Sequence, residues 1–314
     1  MIALKKKKQI PKKRMSWRHV LPFYIMTVPG ILYLLVDKYI PMYGVMIAFK
    51  KLNFQKGIFK SSWTGFDNFK FLFRSRDAWI ITRNTLLYNI AFFIVGVTFA
   101  IVLAVLINEL RSRRASKLYQ TVTLLPFLMS WVVIGYLVYA FLSVETGLIN
   151  KSVIEPMGGD AVNWYQDTRY WPFILIFAST WKSIGYNMII FLSSIVGISP
   201  DYYEAAKLDG ASKWQQIKKI TLPLLKPTII TLLIISAGQI FRTDFGLFYQ
   251  VPKNSGALFS VTRTIDVYVY QALLKNSDYA MSSAASVYQS FVGFILIIAV
   301  NKIIKKTSPE SALF

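Results

Sequence analysis

Residues 204–223 read EAAKLDGASKWQQIKKITLP, a polar stretch lying between two long apolar runs. Its local pattern is that of two short helices joined by a sharp turn. Just upstream, Ser199-Pro200-Asp201 suits a helix start, with Ser as N-cap, Pro in the first position and an acid against the helix dipole. A short helix is expected through Tyr202, Tyr203, Glu204, Ala205, Ala206, Lys207 and Leu208. Gly210 ends it, because glycine takes positive φ at little cost. Ser212-Lys213-Trp214-Gln215 fits a capping box for a second helix, with Trp214 and Ile217 three apart on one face. Leu222-Pro223 opens the next apolar run, where Pro is tolerated in a first turn. Ala205 and Ala206 leave room for another surface to come close, and Glu204 offers one carboxylate to a basic partner. On local physics alone this is either a docking helix that fits a partner's groove or a solvated loop linking two spans.

Outward from this segment the chain is apolar. Of 314 residues, 54% are hydrophobic and 16% charged, against about 25% charged in a soluble domain. Six apolar runs, roughly 20–36, 86–107, 121–142, 171–196, 222–241 and 284–304, match or approach the length needed to cross about 30 Å of hydrocarbon. They lack the alternation of barrel strands. The expectation is an all-α membrane protein of six transmembrane helices with both ends on one side. Residues 39–49 are too few for a seventh crossing and read as interfacial or as a continuation of the first helix. With both ends inside, the inner pieces hold 20 Lys and Arg over 68 residues and the outer pieces 12 over 87, which favours N-in and C-in. The segment 50–78, with seven, is unusually basic for an outer one. This divides the chain into a basic cytosolic tail (1–19), a six-helix bundle (20–304, with the loop 199–221 on the cytosolic side) and a C-terminal cytosolic tail (305–314).

Charge and composition exclude several functions. The net charge is +21. The N-terminal lysines precede a first span and are explained by orientation rather than nucleic acid; no small-x-small cleavage site follows that span. With no cysteine and one histidine, His19, beside the basic tail, neither a metal cluster nor a Ser-His-Asp triad is expected. No G-x-x-x-x-G-K-[ST] run occurs, so no P-loop cradles nucleotide phosphates. Trp63, Trp79, Trp164 and Trp171 fall near predicted interfaces.

Glu204-Ala205-Ala206, three residues, Gly210, nine residues, Ile220, one residue, Leu222-Pro223 resembles the EAA loop of ABC importer permeases, every fixed position being filled at its spacing. Val28-Pro29-Gly30, Tyr39-Ile40-Pro41-Met42-Tyr43-Gly44, Trp63-Thr64-Gly65-Phe66-Asp67-Asn68-Phe69 and Ile265-Asp266-Val267-Tyr268-Val269-Tyr270 resemble permeases that import oligosaccharides and polysaccharide fragments. The likeness covers about 21–304. It implies the type I importer permease fold and a non-catalytic transport subunit of a bacterial cell membrane. It implies a second, similar permease, two ATPase subunits that bind the ATP and Mg, and an extracellular solute-binding lipoprotein. It also makes the quoted segment the coupling helix that docks in an ATPase cleft, through Tyr202, Tyr203, Glu204, Ala205, Ala206, Asp209, Gly210, Ile220, Leu222 and Pro223. A solute other than sugar, such as a peptide or amino acid, stays open. A membrane-embedded enzyme or an ion-coupled carrier is disfavoured by scattered acids and the lack of a clear internal repeat.

Polar residues inside the spans mark the pathway candidates. Lys182 lies mid-span, where a Lys costs about 2.5–3.5 kcal/mol on insertion, so its charge must meet a partner or a wet cavity. Trp181, Tyr186 and Asn187 flank it; 182 and 186 share a face. Aromatic rings and amides suit sugars. The plainer reading is a structural partner for the neighbouring permease or for an acid elsewhere. Gln239, Arg242 and Asp244 fall toward the outer end of the fifth span. On an ideal helix Gln239 and Arg242 share a face while Asp244 is turned away. They read as an outer gate, a site for an acidic sugar, or interfacial snorkelling. Tyr288 and Gln289 on the last span are further candidates, while Trp131, Tyr136 and Tyr139 read as packing residues.

Overall fold

A computed structural model describes residues 17–70, 75–274 and 277–307; the rest of both expected tails lies outside them. Four of its helices are long and apolar enough to cross a membrane, and six when each of two bent pairs counts as one span. Helix α1, Trp17–Leu34, starts three residues before the expected edge. It continues through a π-turn at Leu35–Tyr39 and a 3-10 segment at Ile40–Phe49. Residues 39–49 therefore prolong the first helix. None of its most apolar window is buried inside the chain.

The segment that follows folds as a small hairpin, β1 (Lys50–Lys51) antiparallel to β2 (Ser62–Trp63). Lys50 is only 2% exposed. Its ammonium donates to the carbonyls of Ile58 and Phe59 at 3.0 and 2.9 Å and lies 4.9 Å from the Trp63 ring centre. One charge of this unusually basic segment is thus a structural plug rather than a surface cation.

Helix α2, Arg76–Asn108, is 33 residues long, about 50 Å. It begins ten residues before the apolar run because Ser75 caps it, accepting from the Ala78 amide at 3.2 Å. Helix α5, Trp171–Val196, coincides with the expected span. The two pack through Ala100, Ala104 and Ile107 against Met188, Phe191 and Ile195, the two alanines letting the helices come close, as helix pairs in lipid favour.

Two expected spans are not straight. Residues 121–142 divide into α3, Arg113–Leu128, and α4, Trp131–Leu142, bent by 97°. Met129 is extended at the break and Ser130 caps α4, accepting from the Val133 amide at 3.3 Å. Hydropathy could not see this, because the break adds no charge and only one hydroxyl, Ser130, to an apolar run. Likewise 222–241 is not one helix. Helix α6, Pro200–Leu208, precedes α7, Lys213–Leu224, which meets α8, Lys226–Gly238, at a 47° bend. Pro227 stands in the first turn of α8, where it forbids a continuous ladder. Beyond Gly238 the chain unwinds until α9, Phe245–Gln250. Helices α10, Ile265–Leu274, and α11, Tyr279–Thr307, complete the bundle.

Helix α3 crosses α5 at Gly185, where an added Cβ would lie 2.2 Å from the Thr123 carbonyl oxygen. The obstacle is backbone, which cannot swing aside. Gly185→Ala is expected to destabilise the fold by about 1–3 kcal/mol, the usual overpacking cost, read as a lower melting midpoint by circular dichroism in detergent. An unchanged midpoint would refute this close crossing.

Candidate coupling elbow and substrate cleft

The quoted segment folds as a capped elbow. Ser199 accepts from the Asp201 amide at 3.3 Å. At the other end Gly210 takes φ +76°, the Ala211 amide donates to the Ala206 carbonyl at 2.8 Å and the Gly210 amide to that of Lys207 at 3.0 Å. This is the Schellman pattern that a left-handed glycine permits. Ser212 and Gln215 form the reciprocal capping box of α7, with bonds of 3.3 and 2.7 Å.

One contact fastens the elbow to the bundle, and two brace it internally. The Tyr203 hydroxyl meets that of Thr221 at 3.0 Å. Lys213 pairs with Glu109, the residue that closes α2, at 2.8 Å. Buried Gln216 donates to the Ala211 carbonyl at 3.0 Å. Tyr203 therefore points at α7, whereas Glu204, Ala205 and Asp209 are exposed and Ala206 is half-buried. Among the described residues Glu204 has no ion-pair partner. Tyr202, Leu208 and Trp214 are 58%, 90% and 68% exposed, an apolar rim around that lone carboxylate. Ile220 is half-buried, and Leu222 and Pro223 stand exposed in the last turn of α7, just before the bend to α8. Sequence reasoning missed Glu109, Thr221 and Gln216; Glu109 meets Lys213 from more than 100 residues away, whereas the other two act within the elbow itself.

The pathway candidates fall into separate neighbourhoods. Asn187 and Gln239 line one cleft of about 520 Å³ between α2, α5 and α8, with Asn89, Ser183 and Ser236 as its other polar groups. Gln239 also lines an adjoining hollow of about 460 Å³, together with Arg242, Gln289 and Ser290. Gln239, Arg242 and Asp244 do not lie on a helix, because α8 ends at Gly238. The unwound stretch is held by Asn89, which donates to the carbonyls of Ile240 and Arg242 at 3.0 and 2.8 Å. Asn89 was legible in principle, since an amide inside an apolar run invites the test applied to Lys182. Ser183 sits one helical turn from Asn187.

Lys182 and Tyr186 stand apart from that cleft. The Lys182 ammonium donates to the backbone carbonyls of Pro126 (3.4 Å), Phe127 (2.9 Å) and Met129. It thus satisfies the open end of α3 where that helix breaks, a cation at the negative end of the dipole. Among the described residues no acid lies within ion-pair distance of it. Tyr186 stacks on Phe127 with ring centres 4.9 Å apart. Trp131 is more than packing: its indole N–H donates to Asp244 at 2.5 Å and its ring lies 5.4 Å from the Lys182 nitrogen. Asp244 also caps α9, accepting from the Gly246 and Leu247 amides at 2.9 and 3.4 Å. Trp181 packs on the core and borders apolar hollows. Tyr288 packs edge-on against Phe241. Gln289 is buried and spends its amide on the Phe241 carbonyl and on Asp266, at 2.8 and 3.0 Å.

Residues 80–308 match the family model described as binding-protein-dependent transport system inner membrane component. Among curated proteins the chain is similar to Protein LplB of Bacillus subtilis (strain 168), 33% identical with 96% of this chain and 98% of LplB aligned. It is also similar to the polygalacturonan/rhamnogalacturonan transport system permease protein YteP of the same organism, 35% identical over 91% of this chain and 88% of YteP. Among solved structures it is similar to a chain of a bacterial ABC transporter involved in the import of the acidic polysaccharide alginate, TM-score 0.84 and 31% identity over 93% of this chain and 97% of that one. It is likewise similar to a chain of a bacterial alginate ABC transporter in complex with an alginate pentasaccharide-bound periplasmic protein, TM-score 0.83 and 30% identity over 94% of this chain and 99% of that one. With its bent membrane helices and capped elbow, the chain belongs to the binding-protein-dependent transport system inner membrane components, the permease subunits of ABC importers.

Proposed function

We propose that the chain forms one half of the path by which an ATP-driven importer takes up an oligosaccharide handed over by an extracellular binding lipoprotein. The observation that carries this reading is the elbow at 199–223: an exposed apolar rim around Glu204, fixed to α2 and α7 by Lys213–Glu109 and Tyr203–Thr221. That geometry suits a lever. Two separate ATPases, which hold ATP and Mg, push on α6, and α7 passes the displacement to α8 across the bend. Six crossings with both ends in the cytosol put the elbow on the ATPase side, as the Lys and Arg bias favours.

A second, similar permease supplies the other wall. The bare apolar flank of α1 supports this, since no part of its most apolar window is covered by the chain's own helices. Lipid or that partner covers it. The cleft of Asn89, Ser183, Asn187, Ser236 and Gln239 offers the amides and hydroxyls that sugar hydroxyls need. The likeness to a rhamnogalacturonan permease and an alginate importer supports carbohydrate over peptide or amino acid cargo.

Reconstitution tests the reading. Liposomes holding this protein alone are expected to be inert. Adding the partner permease, ATPases and binding protein is expected to start ATP-dependent oligosaccharide uptake. Uptake by this chain alone, or none by the full set with any sugar its binding protein holds, would overturn it.

A further inference from the structure

Three charged groups, Arg242, Asp244 and Asp266, meet where α8 unwinds, and the sequence leaves open which of them faces cargo. The structure engages both acids elsewhere. Asp244 gives one oxygen to the Trp131 indole and the other to the α9 amides. Asp266 accepts from the Thr243 amide and hydroxyl at 2.6 and 2.8 Å and from Gln289 at 3.0 Å. Arg242 is left exposed on the hollow that adjoins the amide-lined cleft, with Gln239 common to both. Among the described residues no carboxylate lies within ion-pair distance of it. Its backbone is pinned by Asn89 through the 2.8 Å bond to its carbonyl, so the guanidinium is presented from a fixed point.

A second cation follows the same logic. Lys253 and Asn254 both take left-handed backbone, φ +54° and +50°, a conformation that costs a non-glycine residue about 1 kcal/mol or more. This turn sets the Lys253 ammonium 3.6 Å from the ring centre of Tyr136, which is 64% exposed, and 5.5 Å from that of Tyr139. Again no carboxylate of the described residues pairs with it. An ammonium on an open aromatic ring offers charge to an anion and an apolar face to a sugar ring.

Resting on the carbohydrate reading above, we propose that the cargo is an anionic oligosaccharide carrying carboxylates, a uronate chain. Arg242 reads a carboxylate at the rim of the cleft, and Lys253 with Tyr136 reads another. Arg suits this task because its planar fork meets a carboxylate with two parallel hydrogen bonds. Asp244 is a positioning residue that holds Trp131 and α9.

The test uses the complete reconstituted importer with saturating binding protein, and two probes of equal length: trigalacturonate and its fully methyl-esterified form. Each variant is compared with the parent importer for each probe, so that the binding protein's own preference cancels. A charge-assisted hydrogen bond lost in Arg242→Gln should lower the uptake ratio, charged over esterified, by about tenfold. Lys253→Gln should lower it by a smaller factor, and Arg242→Lys should recover part of the loss. Equal losses for both probes would mean that Arg242 serves assembly or a carboxylate of the second permease, and would overturn the proposal. So would an unchanged ratio, or a parent importer that carries only the esterified probe. Uptake of neither probe while a neutral sugar is imported would also overturn it, whereas import of a non-carbohydrate solute alone would instead refute the carbohydrate reading on which this one rests.

Discussion

Glu204→Lys combined with Gly210→Pro is expected to abolish measurable uptake while the protein still reaches the membrane and the ATPases still hydrolyse ATP. Two independent physical effects add. Gly210 sits at φ +76°, whereas proline is fixed near −65°. The Schellman turn is lost, and with it the angle between α6 and α7. Glu204 is an exposed carboxylate inside an apolar rim. Reversing a charge that a docked partner must bury costs about 2–5 kcal/mol, or about 30-fold or more in affinity. Neither change touches a span, so insertion is spared. Single variants grade the result. Gly210→Ala can still reach positive φ at a cost of about 1–2 kcal/mol, and should retain partial uptake. Glu204→Gln keeps the shape and should fall between. Uptake and ATP hydrolysis are measured together on the reconstituted importer. Undiminished transport by the double variant would remove the elbow from the mechanism.

That elbow is also the part of the molecule most legible in the sequence. Its caps are local: Ser199, Gly210 and the Ser212–Gln215 box act within a few residues of themselves, and no distant contact overrides them. Span α5 is legible for a related reason, since an uninterrupted apolar run forms one helix whatever it packs against. The breaks at 129–130 and 225–226 were not legible from hydropathy, which adds side chains and ignores backbone. Ser130 and Pro227 carried the signal, but each is tolerated inside a membrane helix when other groups satisfy the freed carbonyls. The cleft was half legible. Asn187 and Gln239 stood out as amides in apolar runs, yet only the packing of α2, α5 and α8 brings them together with Asn89. Lys182 shows the limit most clearly. Sequence required a partner for it, but that partner is a row of main-chain carbonyls more than 50 residues away, which no side-chain pattern announces.

Lys182→Met should therefore separate two properties that usually move together. Insertion improves, because a central Lys costs about 2.5–3.5 kcal/mol and methionine does not. Folded stability falls, because the carbonyls of Pro126, Phe127 and Met129 lose their shared donor at a 97° bend. The Pro126 carbonyl keeps the Met129 amide as a donor, so Phe127 and Met129 carry the loss; an unpaired acceptor costs about 1–3 kcal/mol where it is buried, and water at the exposed Phe127 relieves part of that, so a net loss of about 1–3 kcal/mol is expected. Trp131 would lose the cation beside its ring, and through it Asp244 and the start of α9 would loosen. Lys182→Arg keeps a donor for the same carbonyls and should restore most of the stability. The readouts are glycosylation-reporter insertion of α5 and the melting midpoint of the purified protein. A cargo-binding lysine predicts a different result: an unchanged midpoint, with uptake reduced through a raised KM. A midpoint that holds while KM rises would move Lys182 from the frame of the bend into the sugar path.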